Sequence, residues 1–239
     1  MVEANIEKVM RANESTIALI RKASQGISNG KGRLAIFPAS FNPPTRAHLA
    51  LIREAKEAAR LDEVLVLLDV AAMDKECAGA EVADRLAMMK RAFGRDPWVS
   101  TGLSSHGLFL DKIAPLRRIY PDLVDFFFIV GFDTIVRVVN RKYYLSPKKS
   151  LEELFSKSHF LVANRGEVEE RDFRTLFRKR ANKPYLDSVS YFTVSPKFSR
   201  LSSTLVRERI ARGLPVDQFV PASVLQFIQK KGLYTPIRS

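Results

Sequence analysis

Apolar residues along this chain gather in five short runs, with longer stretches of mixed polarity between them. The runs are LAIF at 34–37, VLVLL at 64–68, FFFIV at 126–130, FLVA at 160–163 and VSYFTV at 189–194. Most of them are continuous rather than alternating, which is typical of strands buried on both faces, as in parallel sheets. The pattern therefore predicts five buried strands.

The stretches between the runs show helical spacing. In RAHLALIREAKEAARL the residues Leu49, Ile52, Ala55 and Ala59 share one face, and EVADRLAMMKRAF and VEERDFRTLFRKR follow the same spacing. Strands that alternate with helices predict an α/β fold, here a Rossmann-like, open, mainly parallel sheet with helices on both faces. In such sheets ligands bind beyond the carboxyl ends of the strands, near the point where the strand order reverses.

Residues 1–29 precede the first predicted strand. We predict that they form an N-terminal helical extension, either one helix or a helix pair, on an α/β domain that spans residues 30–239. Its apolar residues are expected to pack on the core; they are Ile6, Val9, Met10, Ile17 and Ile20. The sequence indicates no role for this extension.

Composition narrows the classes of partner. The 239 residues are 46% hydrophobic, enough for one sizeable domain, and 39 Lys and Arg against 26 Asp and Glu give a net charge of +13. That charge favours an anionic partner: a nucleotide, a nucleic acid or an acidic membrane surface.

Cys77 is the single cysteine, which excludes an internal disulfide and a cysteine-based zinc cluster. The chain lacks a signal-peptide pattern and a long apolar segment, so we predict a cytoplasmic protein without a membrane partner.

The loop after the first predicted strand has unusual chemistry. In FPASFNPPTRAHLAL, residues 37–51, Pro43 and Pro44 stiffen a loop that leads into a helix. A helix start leaves backbone N–H groups unpaired and carries partial positive charge, so it suits a phosphate. Thr45 and His48 fall in its first turn. They are candidates for phosphate contacts, or else an ordinary N-cap and an ordinary surface residue.

A second helix start with similar chemistry lies near the C-terminus. In RLSSTLVRERIARGLP, residues 200–215, three hydroxyl residues precede a helix that Gly213 closes; they are Ser202, Ser203 and Thr204. Hydroxyls are common caps, but Arg207 places a cation in the first turn, where it opposes the helix dipole. The pattern predicts an anion here, such as a di- or triphosphate.

Two further strand ends carry candidates. Gly131 ends the run FFFIV and lets a ligand approach the backbone, and Asp133 follows it either as a ribose contact or as a helix cap. Arg165, after the run FLVA, and Lys75, in the loop after the second strand, are weaker candidates for phosphate contacts.

Together these motifs resemble one family. ASFNPPTRAH resembles the G-S-F-N-P-x-T-x-x-H signature of nicotinamide mononucleotide adenylyltransferases, and LSSTLVR resembles their I-S-S-T-x-x-R. VGFDT, ADRLAMMKRA and VANRG are similar to further family elements in the same order, over about residues 33–210. GFDTIVRVVNRKYY resembles a divergent fungal and bacterial branch. Ala39 stands where the family has glycine, and Ala47 where the wider superfamily has glycine.

The resemblance implies an enzyme of NAD biosynthesis that transfers the adenylyl group of ATP to nicotinamide mononucleotide, with release of pyrophosphate. The attacking phosphate monoester has a second pKa of about 6, so it is already ionised at neutral pH and needs no general base. Catalysis then depends on aligning two polyanions and stabilising the transition-state charge. The resemblance implies Mg²⁺ held mainly by substrate phosphates, without a protein metal site.

The resemblance also assigns roles to residues. His48 and Thr45 would bind the α-phosphate and act in catalysis, and Asp133 would bind a ribose. Arg207 with Ser203 and Thr204 would hold the β- and γ-phosphates. The remaining nucleotide-binding candidates are Ser40, Phe41 and Ser202, with Lys75 and Arg165 as possible phosphate contacts.

Two alternatives stay open. One keeps the fold and changes the acceptor, with adenylyl or cytidylyl transfer to phosphopantetheine or flavin mononucleotide; the Ala39 departure leaves the acceptor undecided. The other is a non-catalytic nucleotide- or RNA-binding protein, indicated by the +13 charge and by Arg171, Arg174 and Arg178 on one helical face. Nucleic acid is the less favoured partner, and the sequence indicates no oligomeric state.

Overall fold

A computed structural model describes residues 2–70, 79–105, 108–164 and 169–235. Within these ranges the chain forms a single sheet whose strands are β1 Ile17–Arg21, β2 Gly32–Ala39, β3 Glu63–Asp69, β4 Val99–Ser104, β5 Val124–Gly131, β6 His159–Ala163 and β7 Val189–Phe192. The α-helices are α1 Val2–Met10, α2 Arg46–Ala59, α3 Val82–Phe93, α4 Phe109–Arg117, α5 Phe132–Val138, α6 Pro147–Lys157, α7 Glu170–Arg178, α8 Pro196–Ser199, α9 Ser203–Ala211 and α10 Ala222–Lys231. No helix in the described ranges is long and apolar enough to cross a membrane.

The strand order fixes where a ligand can bind. The sheet runs β1-β4-β3-β2-β5-β6-β7, and every pair is parallel except β1 with β4. The order reverses between β2 and β5, so the connections that leave their carboxyl ends run in opposite directions and leave a crevice at the topological switch point. This topology confirms the predicted Rossmann-like α/β fold.

Helices cover both faces of the sheet. In β2 the side chains of Ala35 and Phe37 belong to one buried cluster, together with residues of α2, α3 and α10. Leu34 and Ile36 belong to the other cluster, with residues of α4, α6 and α7. Successive residues of the strand face two different apolar layers. Odd-numbered and even-numbered positions must therefore both be apolar, which explains the continuous runs in the sequence.

The five predicted strands correspond to β2, β3, β5, β6 and β7, whereas β4 was missed. Its sequence, VSTGLS, places Ser100, Thr101 and Ser104 in buried positions where the pattern requires apolar residues. The hydroxyls of Ser100 and Ser104 are hydrogen-bonded there, to Glu63 and Lys112. A buried hydroxyl with a partner is tolerated in a strand, but it removes the apolar signal.

The N-terminal extension is helical only in its first part. The predicted helix is present as α1, and Val9 is fully buried, but Met10 is 60% exposed. Residues 17–21 form a strand instead of a second helix, because β1 pairs with the edge of β4. Pairing with β4 supplies backbone partners for this segment, and these come from a part of the chain remote in sequence.

A buried carboxylate ties the segment after β1 to the sheet. Glu63 is fully buried at the start of β3, where it accepts from the hydroxyls of Ser100 and Tyr120, both at 2.5 Å, and from the backbone N–H of Ile27 at 2.9 Å. Lys22 pairs with the same carboxylate. Burial and the nearby carboxylate raise the pKa of Tyr120 above its ordinary value, so its hydroxyl remains a donor. This network lies at the end of the sheet opposite the crevice.

Candidate functional site

A cleft of about 320 Å³ opens at the carboxyl ends of β2, β5 and β6. Its apolar lining comes chiefly from these strands and from Leu51, Phe109 and Phe198. The polar side chains that line it are Ser40, Asn42, His48, Thr134, Asn164, Ser199, Ser202, Ser203, Thr204 and Arg207. Among the described residues, no aspartate or glutamate lines this cleft. A surface rich in donors and lacking carboxylates suits an anionic ligand.

Hydrogen bonds at the start of α2 determine the tautomer of His48. Thr45 is the N-cap and is fully buried. Its backbone N–H donates to Nδ1 of His48 at 2.9 Å, and its Oγ1 lies 3.0 Å from the same nitrogen. A backbone N–H can only donate, so Nδ1 is the acceptor and the neutral imidazole carries its proton on Nε2. His48 therefore presents an N–H donor on its other ring nitrogen.

Aromatic packing supports this imidazole from behind. Phe41 is fully buried, and its ring lies 5.3 Å from that of His48, 5.5 Å from that of Phe93 and 5.7 Å from that of Phe37. Phe41 has a φ of +46°, in the left-handed region that bulky residues rarely adopt. Such backbone persists where the surrounding packing determines it, and it is frequent at functional sites.

Two hydrogen bonds join the start of α9 to the loop after β2. The Ser203 hydroxyl donates to the Pro43 carbonyl at 2.8 Å, and Nη1 of Arg207 donates to the Asn42 carbonyl at 2.8 Å. Nη2 of Arg207 lies 3.4 Å from Oγ1 of Thr204, which keeps the guanidinium over the first turn of α9. The starts of α2 and α9 thus line one cleft, although they are far apart in sequence.

The first turn of α9 has the features of an anion-binding helix start. Ser202 is the N-cap, and its hydroxyl accepts from the backbone N–H of Leu205 at 3.1 Å. The N–H groups of Ser203 and Thr204 occupy the first two helical positions, which have no partner inside an α-helix. Together with the helix dipole and the cation of Arg207, they concentrate positive potential on one wall of the cleft.

A buried cation lies behind Ser40, a residue of the cleft lining. Arg85, 1% exposed, donates to the carbonyls of Ser40 and Asp69, both at 3.3 Å, and to that of Val70 at 3.2 Å. It thereby fixes the ends of β2 and β3. Lys112 donates to the Asp69 carboxylate at 3.1 Å. Burial raises the pKa of Asp69 above its ordinary value, while the charge and hydrogen bond of Lys112 act in the opposite direction.

The structure brings most of the predicted residues together in the cleft; these are Ser40, His48, Ser202, Ser203, Thr204 and Arg207. Thr45 and Phe41 are buried behind the cleft instead, where they contact His48. Asp133 lies on the exposed first turn of α5, outside the lining, and it is not the N-cap, which is Gly131. Lys75 and Arg165 lie outside the described residues.

Sequence reasoning did not select several residues at this site. The sequence pattern does not single out Asn42, although this residue lies in the loop of residues 37–51 and lines the cleft. Asn164 joins the ends of β6 and β7, because its side chain accepts from the N–H of Val194 at 2.6 Å and donates to its carbonyl at 3.2 Å. Arg85 falls on the apolar stripe of α3, beside Leu86, and a charge on such a stripe is the signal that identifies it.

Comparison with known proteins identifies the family. A family model described as cytidylyltransferase-like matches residues 36–209, a span that includes both helix starts of the cleft. The chain belongs to the cytidylyltransferase-like family. This confirms the predicted nucleotidyltransferase, and it places both motifs of the resemblance inside the matched region.

Two relatives of this nucleotidyltransferase are both named as adenylyltransferases of pyridine mononucleotides. A Halalkalibacterium halodurans protein named nicotinate-nucleotide adenylyltransferase is 30% identical over 209 residues, which cover 84% of this chain and 91% of the relative. A Schizosaccharomyces pombe protein named nicotinamide mononucleotide adenylyltransferase is 26% identical over 250 residues, which cover 95% of this chain and 94% of the relative.

Solved structures share the fold. The nicotinic acid mononucleotide adenylyltransferase of Plasmodium falciparum, complexed with NaAD, superposes with a TM-score of 0.65 at 16% identity. The match covers 85% of this chain and 97% of that structure. At this identity the likeness shows a common architecture, which includes the open parallel sheet.

We predict that Arg207→Ala weakens binding of a nonhydrolysable ATP analogue. Hydrogen bonds to charged groups contribute about 1.5–3 kcal/mol each, so the dissociation constant should rise about 10- to 100-fold. The variant also loses the bond to the Asn42 carbonyl, but Arg207 is only half-buried, so this bond should contribute about 1 kcal/mol and the melting temperature should fall by about 2–4 °C.

Isothermal titration calorimetry and thermal unfolding measure both quantities. Arg212→Ala is the matched control, since Arg212 is exposed at the other end of α9. A large drop in melting temperature with unchanged affinity would show that Arg207 serves packing alone.

Proposed function

We propose that this nucleotidyltransferase transfers the adenylyl group of ATP to a pyridine mononucleotide, forming a dinucleotide and pyrophosphate. The observation that carries the proposal is the junction of two helix starts in one cleft through Ser203–Pro43 and Arg207–Asn42. Two neighbouring phosphate-binding helix starts suit a reaction between two phosphorylated substrates. The names of the relatives supply the nucleotide pair.

Two pyridine acceptors have support. The Schizosaccharomyces pombe relative, which covers 95% of the chain, is named for nicotinamide mononucleotide. The bacterial relatives, which cover 84% or 85%, are named for nicotinate mononucleotide. These acceptors differ only in an amide against a carboxylate. We propose nicotinamide mononucleotide as the acceptor, with nicotinate mononucleotide as the second candidate.

The start of α9 is proposed to hold the triphosphate. Arg207 and the Thr204 hydroxyl would contact the β- and γ-phosphates, together with the first N–H groups of the helix. The Ser203 hydroxyl already donates its proton to Pro43, so Ser203 would contribute its backbone N–H and hold α9 in place. Ser202 would contribute as the cap that fixes the first turn.

The start of α2 is proposed to act at the reacting phosphorus. An oxygen of the acceptor 5′-phosphate forms a bond to the α-phosphorus of ATP, and the bond from that phosphorus to the bridging oxygen of pyrophosphate breaks. Nε2–H of His48 would donate to a non-bridging α-phosphate oxygen as charge develops there. Thr45 would act through His48, because it holds Nδ1 and is itself buried.

The cleft contains no carboxylate among the described residues, and this chemistry requires none. The attacking monoester has a second pKa of about 6 and is ionised without a base. Within the described ranges no group of three or more His, Cys, Asp or Glu side chains is placed to hold a metal ion. We propose that Mg²⁺ would be held mainly by the phosphates and water, and when bound it would neutralise phosphate charge.

The nucleoside parts are proposed to lie against the apolar lining of the cleft. The apolar lining from Phe109, Ile129 and Val130 suits flat rings. Asp133 remains our proposal for a ribose contact, because Gly131 and Thr134 on either side of it line the cleft. Ser40 follows β2 directly and lines the cleft, where it would contact nucleotide.

Incubation with ATP, Mg²⁺ and a panel of acceptors tests the function. We expect pyrophosphate and NAD when nicotinamide mononucleotide is supplied, because both phosphate-binding motifs agree with this branch. The panel includes nicotinate mononucleotide, phosphopantetheine and flavin mononucleotide, each with ATP and with CTP. Product with only the last two acceptors would contradict the pyridine assignment, and absence of product with every pair would contradict the enzymatic proposal.

We predict that His48→Ala lowers kcat far more than it raises KM for ATP. Donors lost from preorganised sites that bind developing charge cost roughly 10²–10³ in kcat. The variant should still fold, since His48 is only half-buried at a helix start. Steady-state kinetics and thermal unfolding measure these effects.

His159→Ala serves as the matched control, because His159 is exposed at the amino end of β6, away from the cleft. Turnover within about twofold of wild type for His48→Ala would contradict the catalytic role, since the expected loss is at least tenfold larger.

A further inference from the structure

Tyr234 connects the C-terminal segment to the cleft. It follows α10, which ends at Gly232 in the left-handed conformation, and it lies beyond the residues that the family model matches. Its hydroxyl donates to Oδ1 of Asn42 at 2.7 Å. Tyr234 is not among the residues that line the cleft. Asn42 does line the cleft, so this hydrogen bond links Tyr234 to the site.

The ring of Tyr234 packs against Gly79. A Cβ atom on Gly79 would come within 2.8 Å of Cδ1 and 2.9 Å of Cε1 of the ring, so the ring packs directly on the glycine backbone. Gly79 has a φ of +116°, which side-chain-bearing residues rarely adopt. Tyr234 itself has a φ of +66°. Both residues of the contact thus have a positive φ. This uncommon backbone indicates that the surrounding structure determines the position of the ring.

The hydroxyl remains protonated and donates. Partial burial raises the pKa of Tyr234 above its ordinary value, while the nearby charges of Arg207 and Arg85 act in the opposite direction. The neutral phenol is therefore the form at physiological pH. It can serve as a donor to the Asn42 amide oxygen throughout that range.

Hydrogen bonds reach Asn42 from α9 and from the C-terminal segment. Its side chain accepts from Tyr234, and its backbone carbonyl accepts from Nη1 of Arg207 at 2.8 Å. The residue is 4% exposed, so it has little room to reorient without losing one of these contacts. Hydrogen bonds through Asn42 therefore link the C-terminal segment to the Arg207 guanidinium.

We propose that Tyr234 is a positioning residue of the nucleotide site. It fixes Asn42, and Asn42 in turn orients Arg207 toward the phosphates. The segment after α10 would in this way support the binding site. The identity of the ligand, the triphosphate of ATP, rests on the proposed function.

Tyr234→Phe tests this role, because it keeps the ring on Gly79 and removes only the hydroxyl. We expect the dissociation constant of a nonhydrolysable ATP analogue to rise about five- to tenfold, the effect of one hydrogen bond. The control is Tyr185→Phe, a buried tyrosine that stacks on Phe155 at 4.6 Å and does not line the cleft. The control should leave affinity unchanged.

A double-mutant cycle separates positioning from general stability. In an Asn42→Ala background, Tyr234→Phe should cause no further loss of affinity, because both substitutions remove the same contact. Wild-type affinity in Tyr234→Phe, or losses that add independently in the double variant, would overturn the inference. The same holds if only the melting temperature of Tyr234→Phe falls.

These outcomes are distinct from failure of the proposed function. A wild-type protein that binds the analogue but forms no dinucleotide contradicts adenylyl transfer, and the comparison of Tyr234→Phe with wild type still decides the inference. A wild-type protein that does not bind the analogue contradicts both.

Discussion

The site depends on two hydrogen bonds between distant segments, from Ser203 to the Pro43 carbonyl and from Arg207 to the Asn42 carbonyl. These contacts join residues 160 and 165 positions apart. The sheet order makes them possible, because β2 lies at the centre beside the point where the order reverses. Val206, fully buried one turn into α9, packs that helix on the same core as α2. The fold thus delivers two helix starts to one crevice, and neither forms the cleft alone.

The charge distribution follows from that arrangement. Two helix dipoles, the guanidinium of Arg207 and the buried guanidinium of Arg85 face or flank a cleft that lacks carboxylates among the described residues. Arg85 is stabilised by strand-end carbonyls, and its Nε has no hydrogen-bond partner in the described structure. A concentration of positive potential with few internal anions is destabilising by itself. Such a cleft suits a polyanionic ligand, in agreement with the cytidylyltransferase-like family of the chain.

Much of the fold could be predicted from the sequence, and the exceptions have physical reasons. Continuous apolar runs identified β2, β3, β5, β6 and β7, because both faces of these strands are covered. In β4 the buried hydroxyls of Ser100 and Ser104 carry no apolar signal, and β1 depends on a partner strand remote in sequence. Local motifs likewise located His48 and Arg207. They could not reveal that Thr45 is buried behind the cleft, or that Tyr234 returns to Asn42, because such placements depend on tertiary packing.

The most direct measurement is the crystal structure of the protein with a nonhydrolysable ATP analogue. If the junction of α2 and α9 is the phosphate site, the triphosphate lies between the two helix starts. The guanidinium of Arg207 and Nε2 of His48 should then both be within hydrogen-bond distance of phosphate oxygens, at about 2.7–3.2 Å. A triphosphate bound elsewhere on the molecule, or bound in the cleft without contact to either side chain, would contradict this account.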